Sequence, residues 1–181
     1  MTGFTTVFLD RDGTINLKAA EGAYIQEAAD LRLLPGAGDA LRLLNRAGMR
    51  TILVTNQRGI ARGLVSEQAH SAVMSELDRL LALHGSWFDR IYICPHDIGV
   101  CRCRKPAPGL IEQAMHDDAQ IEPKRSVIVG DSESDVEAGQ RAGLTTVRLG
   151  QPHTVTSADR LFPTLPAAVD WILDHSGRNE R

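Results

Sequence analysis

Asp10 and Asp12 stand one residue apart where the apolar run Thr6-Val7-Phe8-Leu9 stops and Gly13-Thr14 begins. On an extended chain, residues i and i+2 face the same way. Two carboxylates that close repel and push their pKa values apart unless a cation lies between them, so the pair implies a metal, a division of labour between acid and base, or both. A solvated acidic turn would carry the same residues without chemistry. Three further polar groups recur at comparable places: Thr55-Asn56-Gln57 after an apolar run, Arg104-Lys105 before Pro106, and Gly130-Asp131 leading to Asp135. Each has an ordinary structural reading, as turn residue, helix-start lysine or helix cap. Together they supply a nucleophile, an acid/base, cation ligands and anion-holding groups, which phosphoryl transfer requires.

A second constellation is local. All three cysteines fall within ten residues, and with one histidine they give Cys94-x-His96-x4-Cys101-x-Cys103. An odd number of thiols packed this tightly is a poor disulfide framework. Three sulfurs and an imidazole form a soft four-ligand set suited to tetrahedral Zn²⁺, and four protein ligands leave no open position, so the role expected for the metal is structural. Free thiols on a surface loop are the alternative. The segment runs directly into Arg104 and Lys105, so a metal there would fix the loop that delivers them. The remaining histidines, His70, His84, His116, His153 and His175, have no evident partners and are expected at the surface or at helix ends.

These residues need a scaffold that brings strand ends together. Apolar runs at Thr6 to Leu9, Thr51 to Thr55, Arg90 to Cys94, Ser126 to Gly130 and Thr145 to Leu149 read as strands. Between them, helical patterns run from Ala37 to Ala47 before Gly48, from Ser66 as N-cap to His84 before Gly85, from Pro108 to about Asp118, and from Ser134 to Ala142 before Gly143. A last helix is expected over Leu165 to His175, and an irregular polar stretch follows the first strand through Pro35. Alternation of this kind favours an α/β fold with a parallel sheet covered on both faces. The polar clusters then lie at one edge of it, where open α/β sheets bind ligands.

Composition sets the remaining bounds. The chain has 181 residues, 43% of them hydrophobic and 24% charged, with no repeat or convincing linker, and a single domain over 1–181 is expected. A net charge of −3 provides no electrostatic footprint for nucleic acid or an anionic membrane. No run approaches the roughly 20 apolar residues of a membrane span, and the N-terminus lacks the pattern of a signal peptide. A cytoplasmic, monomeric protein acting on a small molecule is therefore the expectation.

The order Asp10-Arg-Asp-Gly-Thr14, Val54-Thr-Asn56, Lys105 and Gly130-Asp-x-x-x-Asp135 resembles the four motifs of the haloacid dehalogenase-like phosphohydrolases over nearly the whole chain. Within them it is similar to the zinc-bearing group that includes D-glycero-D-manno-heptose bisphosphate phosphatases and histidinol phosphatases, through Asp10 to Asn16, Thr55-Asn-Gln-Arg-Gly-Ile-Ala-Arg-Gly63, and Cys94-Pro-His96 leading to Cys101-Arg-Cys-Arg-Lys-Pro106. The resemblance implies a three-layer, Rossmann-like parallel sheet without a cap domain, carrying a zinc loop at 94–103. It implies Asp10 as nucleophile forming an aspartyl phosphate, Asp12 as acid and then base, and Thr55 and Lys105 holding the phosphoryl oxygens. Mg²⁺ would be held by Asp10, the Asp12 backbone carbonyl and Asp131, with Asp135 orienting or capping rather than ligating. Asn56, Gln57, Arg58 and Arg104 are the implied substrate-binding residues, and specificity is expected from the loops 17–24, 57–63 and 98–104. The implied reaction is removal of the 7-phosphate of D-glycero-D-manno-heptose 1,7-bisphosphate, favoured by the Gly59 to Gly63 run. The short His96-x4-Cys101 spacing keeps histidinol phosphate in view. A phospho-acceptor signalling domain shares the paired acids, Thr and Lys, although there the phosphorylated Asp belongs to a mid-chain strand. A zinc-nucleated binding module without catalysis is the other rival.

Overall fold

The computed structural model describes residues 3–20 and 22–176. Strands β1 (Thr6–Leu9), β2 (Arg50–Asn56), β3 (Arg90–Cys94), β4 (Ser126–Gly130), β5 (Thr145–Leu149) and β6 (Arg160–Phe162) form one sheet in the order β3-β2-β1-β4-β5-β6. Every pairing is parallel. Helices α1 (Ala37–Arg46), α2 (Arg58–Ala61), α3 (Glu67–Leu83), α4 (Gly109–Asp117), α5 (Glu133–Ala142) and α6 (Leu165–Asp174) make up the other layers.

Side-chain alternation along β1 divides the core in two. Val7 and Leu9 point to one face and join Leu53, Val127 and Val129 beneath residues of α1, α3 and α6. Phe8 points to the other and meets Ile52, Val54 and Ile128 beneath α4 and α5. All four residues of β1 are fully buried. A strand at the centre of a doubly covered parallel sheet must be apolar on both faces, and the continuous run at Thr6 to Leu9 satisfies that.

Helix ends follow local chemistry. The Ser66 hydroxyl accepts from the Ala69 N–H and starts α3, while Thr164 does the same for Ala167 at the start of α6. Gly143, at φ +77°, closes α5. The five expected strands and five expected helices are present, with ends that differ by a residue or two. Besides two short 3-10 turns at Ala28–Asp30 and Pro123–Arg125, one strand and one helix were not anticipated. β6 is three residues long on the sheet's edge, and α2 is a single four-residue turn. A segment of that length has too few residues to display a period.

The strand order places β1 between β2 and β4, where the chain reverses its direction of travel across the sheet. That is the switch point at which carboxyl-end crevices bind ligands in α/β sheets. Leu9 registers with Leu53 on one side and Val129 on the other, so Asp10, Thr55 and Asp131 leave the sheet together.

Candidate active site

A cavity of about 460 Å³ opens over the carboxyl ends of β1, β2 and β4, and Asp10, Asp12, Thr55, Arg104, Lys105 and Asp131 are on its wall. Asp10 is buried, and its N–H donates to the Val129 carbonyl at 3.0 Å, which pins the end of β1 to β4. Its Oδ1 accepts from Lys105 Nζ at 2.6 Å. Among the described residues, no hydrogen bond engages Oδ2. Burial pushes the Asp10 carboxyl up to about 7 against the pull of Lys105, and the nearby Asp135 and Asp12 carboxylates push the same way. One lysine does not offset this much negative charge. Carboxylate oxygens of Asp10, Asp131 and Asp135 lie within 4.8 Å of one another, a hard-oxygen cluster of the type that Mg²⁺ prefers.

Lys105 is as buried as the acids it meets. Three acceptors surround its ammonium: Asp10 Oδ1 and Asp135 Oδ1 at 2.6 Å each, and the Val54 carbonyl at 2.7 Å. The Asp135 contact is an ion pair off hydrogen-bond alignment. Burial pulls the Lys105 pKa down, yet Asp10 and Asp135 outweigh it and hold the amine firmly charged. In this arrangement Lys105 holds the Asp10 carboxylate, with its ammonium already engaged by three acceptors. Asp135 is similarly committed, because its Oδ2 accepts from the Ser132 N–H at 3.1 Å and from the Ser132 hydroxyl at 2.6 Å. It therefore sits within the carboxylate cluster while capping α5.

The Asp12 carboxylate turns away from that cluster. Its Oδ1 accepts from Arg11 Nε and Nη2 at 3.2 and 3.0 Å and from Asn16 Nδ2 at 2.9 Å, and its Oδ2 accepts from Arg11 Nη2 at 2.9 Å and Gln57 Nε2 at 3.0 Å. Burial raises the Asp12 pKa, but Arg11, Asn16 and Gln57 together win and hold it below the usual carboxylate range. Arg11 is itself only 2% exposed and its Nη1 reaches Met74 Sδ at 3.8 Å. Gln57 Nε2 also donates to Thr55 Oγ1 at 2.9 Å, which leaves the Thr55 hydroxyl proton available to a ligand oxygen.

The turn after β1 must be tight for this to work. The Arg11 carbonyl accepts from the N–H groups of Thr14, Ile15 and Asn16 at 3.3, 2.9 and 3.1 Å. At Gly13, φ is +88°, and a Cβ would stand 2.3 Å from Asp131 Oδ2. Only glycine tolerates both the backbone conformation and that approach.

Several expected placements need correction. The Asn56 amide is spent on the Lys105 backbone, donating to its carbonyl at 3.0 Å and accepting from its N–H at 3.1 Å. It positions Lys105, lines the cavity, and keeps a second N–H and a second lone pair unused by these bonds. Arg58 lies on α2 away from the cavity wall and pairs with Asp97 of the cysteine loop. His70 is not a surface residue: it is 9% exposed, its Nε2 is buried without a partner, and burial and Arg11 lower its pKa. His84 does end α3, where its Nδ1 is 3.4 Å from Asp39 Oδ1. Of the three expected specificity loops, 17–24 contributes most to the cavity, including Lys18 and Tyr24, whereas 57–63 contributes Gln57 and 98–104 contributes Arg104. Lys18 was not anticipated; its Nζ donates to Asp131 Oδ2 at 2.9 Å. Arg104 Nη1 is buried with no partner.

The soft cluster lies beyond β3. The sulfurs of Cys94, Cys101 and Cys103 are 3.3 to 3.6 Å apart, and His96 Nδ1 is 3.2 Å from Cys103 Sγ and 3.7 Å from Cys94 Sγ. Tetrahedral Zn²⁺ with Zn–S of about 2.3 Å and Zn–N of about 2.0 Å puts sulfurs about 3.8 Å apart and nitrogen about 3.5 Å from sulfur. The four ligands fit that geometry. Burial raises the Cys103 thiol to about 12, and the adjacent Cys94 and Cys101 sulfurs add to the rise. Three thiols this close cannot ionise together without a cation among them.

The haloacid dehalogenase-like hydrolase family model matches residues 5–143. The chain belongs to that family. It is 37% identical over 179 residues to the D-glycero-beta-D-manno-heptose-1,7-bisphosphate 7-phosphatase of Yersinia pestis, covering 93% of this chain and 89% of the relative. It is 38% identical over 179 residues to the D-glycero-D-manno-heptose-1,7-bisphosphate 7-phosphatase of Chlorobaculum tepidum, covering 90% and 88%. Among solved structures, the D,D-heptose 1,7-bisphosphate phosphatase of B. bronchiseptica, complexed with magnesium and phosphate, superposes with a TM-score of 0.86 at 28% identity over 94% of this chain and 99% of that one. A haloacid dehalogenase-like phosphatase from Mesorhizobium loti gives 0.84 at 31% identity, covering 100% and 91%.

Proposed function

We propose that this hydrolase is a Mg²⁺-dependent, zinc-stabilised phosphatase that removes the 7-phosphate of D-glycero-D-manno-heptose 1,7-bisphosphate. The observation that carries the reading is the presence, in one cavity, of the Asp10 centre and of a buried Arg104 nitrogen without a partner. A carboxylate nucleophile beside a carboxylate cluster suits attack at one phosphate, and an unsatisfied guanidinium suits capture of a second anion. The names of the Yersinia and Chlorobaculum relatives supply the sugar.

Mg²⁺ at the Asp10–Asp131 cluster, together with the Asp12 carbonyl, would lower the repulsion between the anionic nucleophile and the phosphate. With Oδ1 held by Lys105, Asp10 Oδ2 is the oxygen placed to attack phosphorus in line. As that bond forms, the bond to the sugar O7 breaks and the leaving oxygen takes a proton from Asp12. Asp12, which its partners hold ionised at rest, takes up a proton from solvent as the substrate binds, because the approaching phosphate dianion opposes their pull, and it donates that proton to the leaving oxygen. Once the sugar departs, ionised Asp12 takes a proton from water, whose oxygen displaces Asp10 and releases phosphate. The Thr55 hydroxyl stabilises charge on the phosphoryl oxygens through both steps. Cys94, His96, Cys101 and Cys103 would hold Zn²⁺, fixing the segment that continues into Arg104 and Lys105.

The deciding measurement is phosphate release from heptose 1,7-bisphosphate, histidinol phosphate and an aryl phosphate, each with Mg²⁺ and with chelator. The proposal expects the highest kcat/KM for the bisphosphate and loss of activity on chelation. A preference for histidinol phosphate would overturn the substrate and leave the chemistry standing. A lasting aspartyl phosphate without turnover would favour the signalling alternative.

A further inference from the structure

The cavity wall carries four cationic side chains, and their commitments differ. Arg11 is locked in a bidentate pair with Asp12. Lys105 has three acceptors within 2.7 Å. Arg104 is anchored beside the cysteine cluster, on a backbone that continues from Cys103. Lys18 alone is 59% exposed, sits on an irregular loop, and among the described residues makes a single polar contact, to Asp131 Oδ2 at 2.9 Å. Asp131 is one of the carboxylates in the hard-oxygen cluster. Lys18 therefore pairs with a carboxylate that a divalent cation at the cluster would also engage.

The geometry points to Lys18 as a partner-switching residue: it neutralises Asp131 in the metal-free site, yields that carboxylate to Mg²⁺, and then binds the substrate's phosphate. The inference rests on the metal-dependent phosphatase reading. Competition follows from charge, because an ammonium and a dication cannot both sit against one carboxylate oxygen without repelling each other. Redeployment follows from reach. The four-carbon stem pivots freely at an exposed position, and a phosphate dianion bound over Asp10 brings the nearest uncommitted negative charge. Lys105 cannot serve in its place without releasing Asp10.

The two halves of the inference have opposite signs, which a merely structural lysine would not produce. Removing Lys18 should tighten Mg²⁺ and loosen phosphate. The test is calorimetric titration of Mg²⁺ alone, and then of inorganic phosphate at saturating Mg²⁺, into the wild-type protein, Lys18→Gln, Lys18→Arg and Lys124→Gln. Lys124 is exposed just before β4, at the opposite edge of the sheet, and controls for net charge. Lys18→Gln should bind Mg²⁺ about two- to fivefold more tightly, as expected for removing an exposed competing ion pair. It should bind phosphate about tenfold more weakly, as expected for losing a charge-assisted hydrogen bond. Lys18→Arg should recover most of the phosphate affinity, and Lys124→Gln should match wild type in both. Unchanged Mg²⁺ affinity in Lys18→Gln, undiminished phosphate affinity, or the same changes in Lys124→Gln would each overturn the role of Lys18. Failure of the wild-type protein to bind Mg²⁺ would instead remove the reading on which the inference rests.

Discussion

Two clusters of metal-ligating side chains in this fold are built in opposite ways. The carboxylates of Asp10, Asp131 and Asp135 come from the ends of two neighbouring strands and the helix after the second, more than a hundred positions apart in the chain. The sulfurs and imidazole of Cys94, His96, Cys101 and Cys103 come from ten consecutive residues. The first cluster is placed by a parallel sheet and is partly neutralised by Lys105 and Lys18. The second is a loop whose ligands meet only because the chain folds back on itself. On the proposed reading, the sheet would keep the carboxylate centre in shape without its cation, whereas the loop would need zinc to keep its own.

The largest effect that would break this comparison is chemical. Asp10→Asn should lower kcat by about 10⁴-fold or more while the melting temperature stays close to wild type, because it removes the nucleophile without disturbing packing. Appreciable residual turnover would exclude covalent catalysis through Asp10.

Next comes the loop. Cys103→Ser should abolish stoichiometric zinc, measured by metal analysis, and lower the melting temperature by about 5–10 °C, because metal binding there is coupled to local folding. A zinc-free wild-type protein of undiminished stability would refute the contrast between the clusters.

A third outcome separates them by proton count. The Asp10 carboxyl titrates near 7 in the metal-free site, above its unfolded value of 3.8. A folded-state carboxyl raised in this way binds more protons than the unfolded chain, so the metal-free protein loses stability as pH rises between those values. Mg²⁺ binding at pH 6 should therefore release up to one proton, seen as a buffer-dependent calorimetric enthalpy, and raise the melting temperature more at pH 7.5 than at pH 5. Asp10→Asn should release none.

The smallest effect concerns Arg58. Its ion pair with Asp97 is partly exposed and lies off the cavity, so Arg58→Ala should change stability by about 0.5 kcal/mol or less and kcat/KM by less than about threefold. Arg104→Ala should cost the bisphosphate far more. Equal losses would return Arg58 to the substrate-binding set.

What could be read from the chain follows the same division. The sulfur cluster was legible because its members are neighbours, and the carboxylates were legible because each ends an apolar run. The partners of Asn56 and Arg58, the Lys105 backbone and Asp97, could not be read because they lie 49 and 39 residues away and no local pattern announces them. His70 lies on α3 just before the apolar stripe that begins at Val73, and its burial is not announced by its residue type. Lys18 sits in a stretch without period, and only the folded turn brings it to Asp131.

The close approach at Gly13 has an evolutionary meaning. No alanine can be tried there without meeting both a backbone conformation it disfavours and the carboxylate of Asp131, so relief would need simultaneous changes in two segments remote in sequence. Single-step drift is thereby closed to the turn and to the acid it touches. Variation in substrate choice is left to the other positions of the 17–24 loop, such as the exposed Leu17 and Lys18, since Gly22 has open space around it but a φ of +79° that strains any other residue.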